Sequence, residues 1–205
     1  YRFEKKNIKI KKIDKITIFP ISKSPIRTMP IDLLNYIISS FSKDYKIEII
    51  LDYDPLSEFI NNKIILNKNV NCIFPKNLKT ILSIIKNTSY GVFMDSGPLH
   101  FAKINNVKGI LIISSVKKNI LLNKFDTIKT VTGEYKSEYC NGPCGLTNAF
   151  YYNNRSGCYD SLKIKKNFLL KYENIKELQR GNLKNNYTYM LKNNVNCLKS
   201  INKIK

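Results

Sequence analysis

The most constraining feature of this chain is a short apolar run that changes abruptly into small and polar residues, Tyr90-Gly91-Val92-Phe93-Met94-Asp95-Ser96-Gly97-Pro98-Leu99-His100. Its apolar first half predicts a strand buried on both faces, and the apolar spacing over residues 99–107 predicts a helix that packs back onto the sheet. An Asp, a Ser, a Gly and a Pro lie at the junction. Unpaired N–H groups and the positive end of the helix dipole favour an anion there. The segment therefore predicts a phosphate seat at the carboxyl edge of an α/β sheet.

Strand-like and helical stretches alternate along most of the chain. Residues 15–20, 47–51, 72–74 and 109–113 read as strands, and helical spacing follows Pro30, Asp54 and Asn77. This alternation predicts a Rossmann-like α/β domain, a mostly parallel sheet with helices on both faces. Beyond Thr132 the pattern dissolves. We expect a linker over 1–14, the α/β domain over 15–160 and a polar extension with one or two helices over 161–205.

The net charge of the chain is +20, from 35 Lys and Arg against 15 Asp and Glu. The basic residues are dispersed among Asn and Ile throughout. This pattern favours a genome-wide bias in amino-acid composition over a dedicated binding patch. It leaves open an electrostatic role with nucleic acid, an anionic membrane or an acidic substrate. We find no helix-turn-helix, zinc-finger or RNP signature, so nucleic acid is not an expected partner.

The chain has five cysteines and one histidine. An odd cysteine count without a secretory signal indicates reduced thiols in a cytosolic protein. Cys140, Cys144 and Cys158 admit a zinc site, but they lack a paired second knuckle, so packing thiols are favoured and no metal is expected. The chain begins with Tyr1 and reaches a strand almost at once, from which we expect a longer protein upstream.

The string from Asp95 to Ala102 resembles the Asp-(Ser/Thr)-Gly-x-x-His-x-x-Ala motif of family 9 glycosyltransferases, the ADP-heptose:lipopolysaccharide heptosyltransferases. The turn Arg27-Thr28-Met29-Pro30 resembles their (Lys/Arg)-x-Trp-Pro element, with Met29 in place of the aromatic residue. The loop Pro75-Lys76-Asn77-Leu78 and the pair Cys140-x-x-x-Cys144 resemble two further family segments. The resemblance covers about residues 15–160 and corresponds to the C-terminal, donor-binding half of a GT-B fold.

The resemblance implies an inverting transferase that moves a heptose-like sugar from a nucleotide-diphosphate donor, usually ADP-heptose, to lipopolysaccharide or another surface glycan. It implies no cofactor and no metal, a catalytic base in a separate N-terminal domain, and a cytoplasmic location at the inner membrane face. Arg27 and Ser96 would stabilise the leaving group. The implied donor contacts are Ser22, Lys23 and Arg27 in the first turn, Glu58 at the ribose, Lys76, Asn77 and Leu78 at the adenine, and Ser96 and Gly97 at the diphosphate, with Pro98 and Leu99 supplying adjacent backbone. Asp95 and His100 are further candidates, for the sugar and for the diphosphate.

Two departures from the family pattern bear on the donor. Asp52-Tyr53-Asp54 replaces a Gly-rich strand end, and Ile113-Ser114 replaces Phe-Gly. These changes weaken the case for ADP-heptose more than the case for a nucleotide sugar.

Several residues admit a second interpretation. Asp95 either binds the sugar or caps the helix, His100 faces the diphosphate or a neighbouring loop, and Glu58 is a ribose ligand or a solvated helix carboxylate. For the whole chain, the alternatives are a non-catalytic nucleotide- or sugar-phosphate-binding module and a basic nucleic-acid-binding protein.

Overall fold

The computed structural model describes residues 13–22, 24–133, 135–136, 141–145, 158 and 195–201. Six strands form the main sheet: β1 (Lys15–Phe19), β2 (Lys46–Ile50), β3 (Val70–Ile73), β4 (Tyr90–Phe93), β5 (Gly109–Ile113) and β6 (Ile128–Thr132). The described helices are α1 (Ile31–Phe41), α2 (Pro55–Asn61), α3 (Leu78–Lys86), α4 (Gly97–Ile104), α5 (Lys118–Leu121) and α6 (Asn196–Ile201), with a 3-10 turn at Pro25–Arg27. A two-stranded ladder pairs β7 (Tyr135–Lys136) with β8 (Asn141–Gly142).

The sheet order is β3-β2-β1-β4-β5-β6, and every neighbouring pair is parallel. The chain builds the sheet outward in one direction from β1 to β3 and then in the other from β4 to β6. The boundary between β1 and β4 is therefore a topological switch point, where loops after the two strands diverge and leave a crevice. The Rossmann-like fold expected from the sequence is confirmed.

Both faces of the sheet are covered, which explains the continuous apolar strands. On one face, α1 buries Leu34 and Ile38 in the same cluster as Ile18 and Ile49. The other face has its own cluster, which contains Phe19, Phe93, Leu111, Ile85, Leu99 and Ala102. Burial of such side chains is the main stabilising term of a fold of this kind, about 1.5–3 kcal/mol for each large aliphatic or aromatic group.

A glycine pair makes room for an aromatic stack in the middle of the sheet. Gly91 lies opposite Gly109 in the β4–β5 ladder. A Cβ added at Gly109 would overlap the backbone oxygen of Gly91, and one added at Gly91 would overlap the Phe93 ring. The ring of Phe93 stacks on that of Phe19, with centroids 5.2 Å apart. Both positions therefore exclude any larger residue.

The local signals of the sequence place the helix starts correctly. The Asp54 side chain accepts a hydrogen bond from Ser57 N–H at 2.7 Å, and the Asn77 side chain accepts one from Thr80 N–H at 3.0 Å, so each residue caps the helix that was expected to follow it. Strand β5 has the bounds that the sequence predicts. Strand β6 was not predicted, because Lys129 interrupts its apolar pattern.

Part of the region expected to be an extension contributes to the core. Val195, Leu198 and Ile201 are buried in the cluster that covers the α1 face of the sheet. The Asn196 side chain also donates a hydrogen bond to the Tyr135 hydroxyl at 2.9 Å, which joins α6 to β7. Among the described residues, no helix combines the length and apolar character needed to cross a membrane.

Candidate functional site

The two loops at the switch point are joined by one ion pair. Arg27, at the end of the 3-10 turn after β1, donates from Nη1 to Asp95 Oδ2 at 3.1 Å and to the Asp95 carbonyl oxygen at 3.0 Å. The side chains are only 17% and 9% exposed. A partly buried pair of this kind is screened less than a surface pair, and it holds the β1–α1 and β4–α4 loops together.

The loop that carries Arg27 is organised by Thr28, which is fully buried. Its Oγ1 accepts a hydrogen bond from Ser22 N–H at 3.2 Å and lies within donor distance of the carbonyl oxygens of Ser22, at 3.0 Å, and Ser24, at 3.1 Å. Met29 N–H donates to the Pro20 carbonyl at 2.8 Å and closes the loop. Thr28 thus positions Arg27, a role that the sequence analysis did not assign to it.

The N-terminus of α4 opens at this crevice. Ser96 is its N-cap residue, but among the described residues no side chain makes a capping hydrogen bond, and Ser96 Oγ lies 3.4 Å from the Met94 carbonyl. A Cβ added at Gly97 would meet nothing within 4 Å, so there is open space beside this residue. An uncapped helix N-terminus without a covering side chain is suited to an anion.

The backbone contribution expected from the next two residues is corrected by the structure. Leu99 N–H donates to the Ser96 carbonyl at 3.1 Å, and the Leu99 side chain is buried in the core. Pro98 has no N–H to offer. Any amide contact of α4 with an anion therefore falls to residues other than these two, and Gly97, at the first helical position, is the best placed.

Two of the alternatives left open by the sequence concern Asp95 and His100. Asp95 is not the N-cap of α4, because that position is Ser96 and the Asp95 carboxylate binds Arg27. His100 is exposed, and its Nδ1 lies 3.3 Å from Nζ of Lys103, one turn further along α4. The Lys103 ammonium also donates to the Leu121 carbonyl at 2.6 Å.

The carboxyl end of β2 presents an acid that the sequence analysis did not choose. Asp52 lies two residues beyond the end of this strand, and its N–H donates to Ser57 Oγ at 2.8 Å. Partial burial of the carboxyl group and the nearby charge of Asp54 raise the pKa of Asp52 above its ordinary value. Glu58, the expected ribose ligand, lies on the first turn of α2, and the two residues Asp52 and Glu58 are both exposed. In Rossmann-like domains the acid near the end of the second strand is the one that reaches a ribose, so position favours Asp52.

An aromatic pair lies at the carboxyl ends of β2 and β3. The rings of Tyr53 and Phe74 have centroids 5.6 Å apart, and the Tyr53 hydroxyl donates to the Phe74 carbonyl at 3.0 Å. Tyr53 remains 70% exposed. The segment after Phe74 continues with three exposed residues, Lys76, Asn77 and Leu78. The Asn77 side chain accepts the hydrogen bond that caps α3.

The structure thus brings Arg27, Asp95, Ser96 and Gly97 together at the switch point. Ser22 lies in the loop between β1 and α1, which also carries Arg27, and it is buried. Lys23 is outside the described residues, as is Cys140 of the possible zinc site. Within the part of the chain that is described, no three His, Cys, Asp or Glu residues are grouped as metal ligands.

Sheet order, switch point and open helix N-terminus define a doubly wound Rossmann-like domain of the class that binds ligands at the carboxyl edge of its sheet. No protein-family model matches the chain, and no curated protein does. Solved structures do match. Escherichia coli heptosyltransferase WaaC with ADP-2-deoxy-2-fluoro heptose superposes with a TM-score of 0.52 at 10% identity, over 62% of this chain and 39% of that one. E. coli ADP-heptose lps heptosyltransferase II gives 0.50 at 12% identity, over 66% of this chain and 43% of that one.

A second WaaC structure, with ADP, gives a TM-score of 0.51 at 8% identity and covers 60% of this chain and 39% of that one. The chain therefore spans about two fifths of the length of these enzymes, corresponding to their C-terminal half. At such low identity the likeness shows the fold alone: the chain has the heptosyltransferase-like fold of the C-terminal half of a GT-B enzyme.

Proposed function

We propose that this chain is the donor-binding half of an inverting glycosyltransferase that moves a heptose-like sugar from an ADP-sugar to lipopolysaccharide or another surface glycan. The observation that carries the proposal is the start of α4 at the switch point, where Ser96 makes no capping hydrogen bond, Gly97 has open space beside it and Arg27 lies against Asp95. The fold shared with enzymes solved with ADP and with an ADP-heptose analogue supports it.

The donor would lie across the carboxyl edge of the sheet. Its diphosphate occupies the mouth of α4, where the Gly97 amide and the helix dipole meet it. Its ribose hydroxyls donate to the Asp52 carboxylate at the end of β2, and its base stacks on the exposed face of Tyr53. This order follows the strand order β4, β1, β2, β3, so a single extended ligand contacts all of these groups in sequence.

Sugar transfer breaks the bond between the anomeric carbon and the donor phosphate oxygen. The bonding electrons leave with the diphosphate, an acceptor hydroxyl oxygen forms the new bond to the anomeric carbon, and its proton passes to a base. We place that base in the opposing domain of a GT-B enzyme, so these residues alone would bind donor without efficient transfer. Hydrogen-bond donors that are already in position before the reaction stabilise the negative charge of the departing diphosphate. Ser96 Oγ and the N–H groups at the start of α4 would provide them.

Arg27 is proposed to act mainly by balancing charge. The Asp95 carboxylate lies beside the diphosphate seat, and an unpaired carboxylate there would repel an anionic donor. The ion pair cancels this repulsion and keeps the guanidinium at the edge of the seat. The same pair leaves Asp95 positioned for sugar hydroxyls, which carboxylates bind well.

The acceptor and the location follow from the same proposal. A lipid-linked glycan is presented at the inner membrane, and the net charge of +20 suits peripheral contact with its anionic cytoplasmic surface. Such contact would weaken as salt is raised, because exposed charges are screened within about 10 Å at 0.1 M ionic strength. The protein would then act in the cytoplasm without a cofactor or a metal.

Calorimetric titration with ADP tests the proposal. We expect binding to the full chain, weakened by about 1.5–3 kcal/mol in Arg27→Ala, because the variant leaves the Asp95 carboxylate without its counter-charge beside the diphosphate. Lys86→Ala, at the exposed C-terminal end of α3, is the charge-matched control and should bind like the wild type. No ADP binding, or equal affinity in Arg27→Ala, would contradict the proposal. Tight, salt-sensitive DNA binding without ADP affinity would instead favour a nucleic-acid-binding protein.

A further inference from the structure

A second basic site lies on the same edge of the sheet, beyond the proposed donor seat. A cleft of about 280 Å³ opens at the carboxyl ends of β5 and β6. Three lysines line it, Lys117 and Lys118 at the start of α5 and Lys136 on β7, and none of the described residues that line it is acidic. We propose that this cleft binds a phosphoryl group.

The floor and wall of the cleft supply groups that complement the lysines. Thr130 and Thr132 are two residues apart on β6, so both face the same side of the sheet, and both line the cleft. Each hydroxyl can donate to a phosphate oxygen. Ile113 is buried and forms an apolar floor, which lowers the local dielectric and strengthens charge interactions above it.

The wall opposite the sheet is anchored at two points. Gly145 N–H donates to the Ser115 carbonyl at 2.7 Å, which ties the segment after β8 to the end of β5. Asn196 of α6 bonds to the Tyr135 hydroxyl on β7, beside Lys136. Lys136 is therefore carried by backbone that is fixed to the domain, and it lines the same cleft as the α5 lysines.

The three lysines are exposed, and the ion pairs formed within the described ranges, Lys15 with Glu48 and Arg27 with Asp95, do not involve them. None of the ion pairs among the described residues would therefore have to break for an anion to bind. The cleft volume falls just below the range of about 300–1,000 Å³ typical of sites for drug-sized ligands. A phosphate or a phosphorylated sugar fits this size better than a nucleotide does.

The cleft is separate from the α4 mouth. Its strands are the first and second neighbours of β4, which places it roughly 5–10 Å further along the sheet edge. The phosphoryl group can come from a soluble phosphorylated molecule or from an anionic lipid headgroup, since both present the same oxygens to the lysines.

Amide NMR on the full chain, titrated with inorganic phosphate at constant ionic strength, tests the assignment. We expect saturable shifts at the amides of residues 117, 118 and 136, with Gly97 as an internal reporter of the donor seat. The variant Lys117→Gln/Lys118→Gln/Lys136→Gln should raise the dissociation constant for these shifts at least about tenfold. The control Lys43→Gln/Lys63→Gln/Lys68→Gln makes the same charge change at exposed positions far from the cleft and should change it less than about twofold.

Sedimentation with phosphatidylglycerol vesicles forms the second arm. If the cleft variant loses more vesicle binding than the control variant, the phosphoryl group belongs to a lipid headgroup. If the two variants lose vesicle binding equally and the wild type shows saturable phosphate shifts at the cleft, the group belongs to a soluble ligand. Absence of saturable shifts at the cleft, together with equal vesicle losses in the two variants, would overturn the proposal. Shifts at Gly97 alone would also overturn the proposal for the cleft, but they would be consistent with the donor site proposed at α4.

Discussion

Arg27 Nη1 contacts both the side chain and the main chain of Asp95, at 3.1 Å from Oδ2 and 3.0 Å from the carbonyl oxygen. Contact with two atoms of one residue fixes the orientation of the guanidinium as well as its distance. The two residues stand in loops that leave the sheet from adjacent parallel strands, β1 and β4. Their pair thus sets the width of the crevice in which a ligand would lie.

The charge-balancing role of Arg27 can be separated from direct phosphate contact with a double variant. Arg27→Ala leaves the Asp95 carboxylate unpaired beside the diphosphate, so ADP affinity should fall about 10- to 100-fold. In Arg27→Ala/Asp95→Asn the repulsive charge is gone, and much of that loss should be recovered. Calorimetry on the four proteins of the cycle measures the coupling. Equal affinities in the single Arg27→Ala variant and the double variant would show that Arg27 acts by direct contact instead.

The open space at Gly97 predicts a variant that separates folding from binding. Ala at this position meets no atom within 4 Å and improves helix propensity, so Gly97→Ala should be at least as stable as the wild type in thermal melts. The added methyl group would intrude on the diphosphate, and ADP affinity should fall. Unchanged affinity would place the diphosphate elsewhere. A lower melting temperature would contradict the open geometry of the α4 start.

The elements of the fold were largely readable from the sequence because local signals and apolar patterns agree in this chain. Asp54 and Asn77 are strong helix caps, and each sits directly before an apolar helical face. The β4–α4 turn was recognisable because it combines a buried strand with Ser96 and Gly97 at a helix start. Strand β6 escaped because Lys129 and Thr130 break its apolar run, and its pairing with β5 is a long-range contact.

The site could be predicted only as far as single segments allow. Arg27 and Asp95 were both expected near the diphosphate, but their mutual contact depends on the pairing of β1 with β4, which the sequence does not state. Glu58 is the ribose ligand that the family resemblance implies, and Asp52 becomes a second candidate because of its position near the end of β2. A rule based on the strand end, as for other Rossmann-like domains, would have added Asp52 to the candidates.

The hydroxyl of Thr28 predicts a test of loop order. Thr28→Val keeps the size and branching of the side chain but removes the oxygen that accepts from Ser22 N–H. The loss of a buried hydrogen bond typically costs about 0.5–1.5 kcal/mol, so the free energy of unfolding should fall by that amount. Because the loop also carries Arg27, ADP affinity should fall as well. Thr28→Ser retains the hydroxyl and should preserve ADP affinity; a Ser variant that binds as poorly as the Val variant would argue against this hydrogen bond as the cause.

The glycine pair in the sheet predicts a loss of stability without a specific effect on ligand binding. Gly109→Ala would force its Cβ into the Gly91 backbone oxygen, and overpacking of this kind typically costs 1–3 kcal/mol. Urea denaturation should show a lower midpoint with a similar slope. Gly97→Ala introduces the same methyl group into open space and is the matched control. Equal midpoints in the Gly109→Ala variant and the wild type would contradict the close approach of β4 and β5.

The raised pKa of Asp52 predicts opposite pH dependences for stability and for binding. Partial burial and the charge of Asp54 raise the pKa above the ordinary 3.8, so the folded state binds a proton more readily than the unfolded state. Stability then falls as pH rises from about 3.8 through the folded pKa, and Asp52→Asn removes this penalty. The variant should melt at a higher temperature than the wild type at pH 7, with the difference disappearing near pH 3.8 and below.

Nucleotide binding should respond in the other direction, since a ribose hydroxyl donates best to an ionised carboxylate. ADP affinity of the wild type should decline as pH falls through the raised pKa of Asp52, and Asp52→Asn should show weak binding with this part of the pH dependence removed. Glu58→Gln, the exposed acid on α2, is the matched control and should bind like the wild type. Calorimetric titrations between pH 4 and pH 7 distinguish the two carboxylates. A loss of ADP affinity confined to Glu58→Gln would instead identify Glu58 as the ribose ligand, as the sequence suggests.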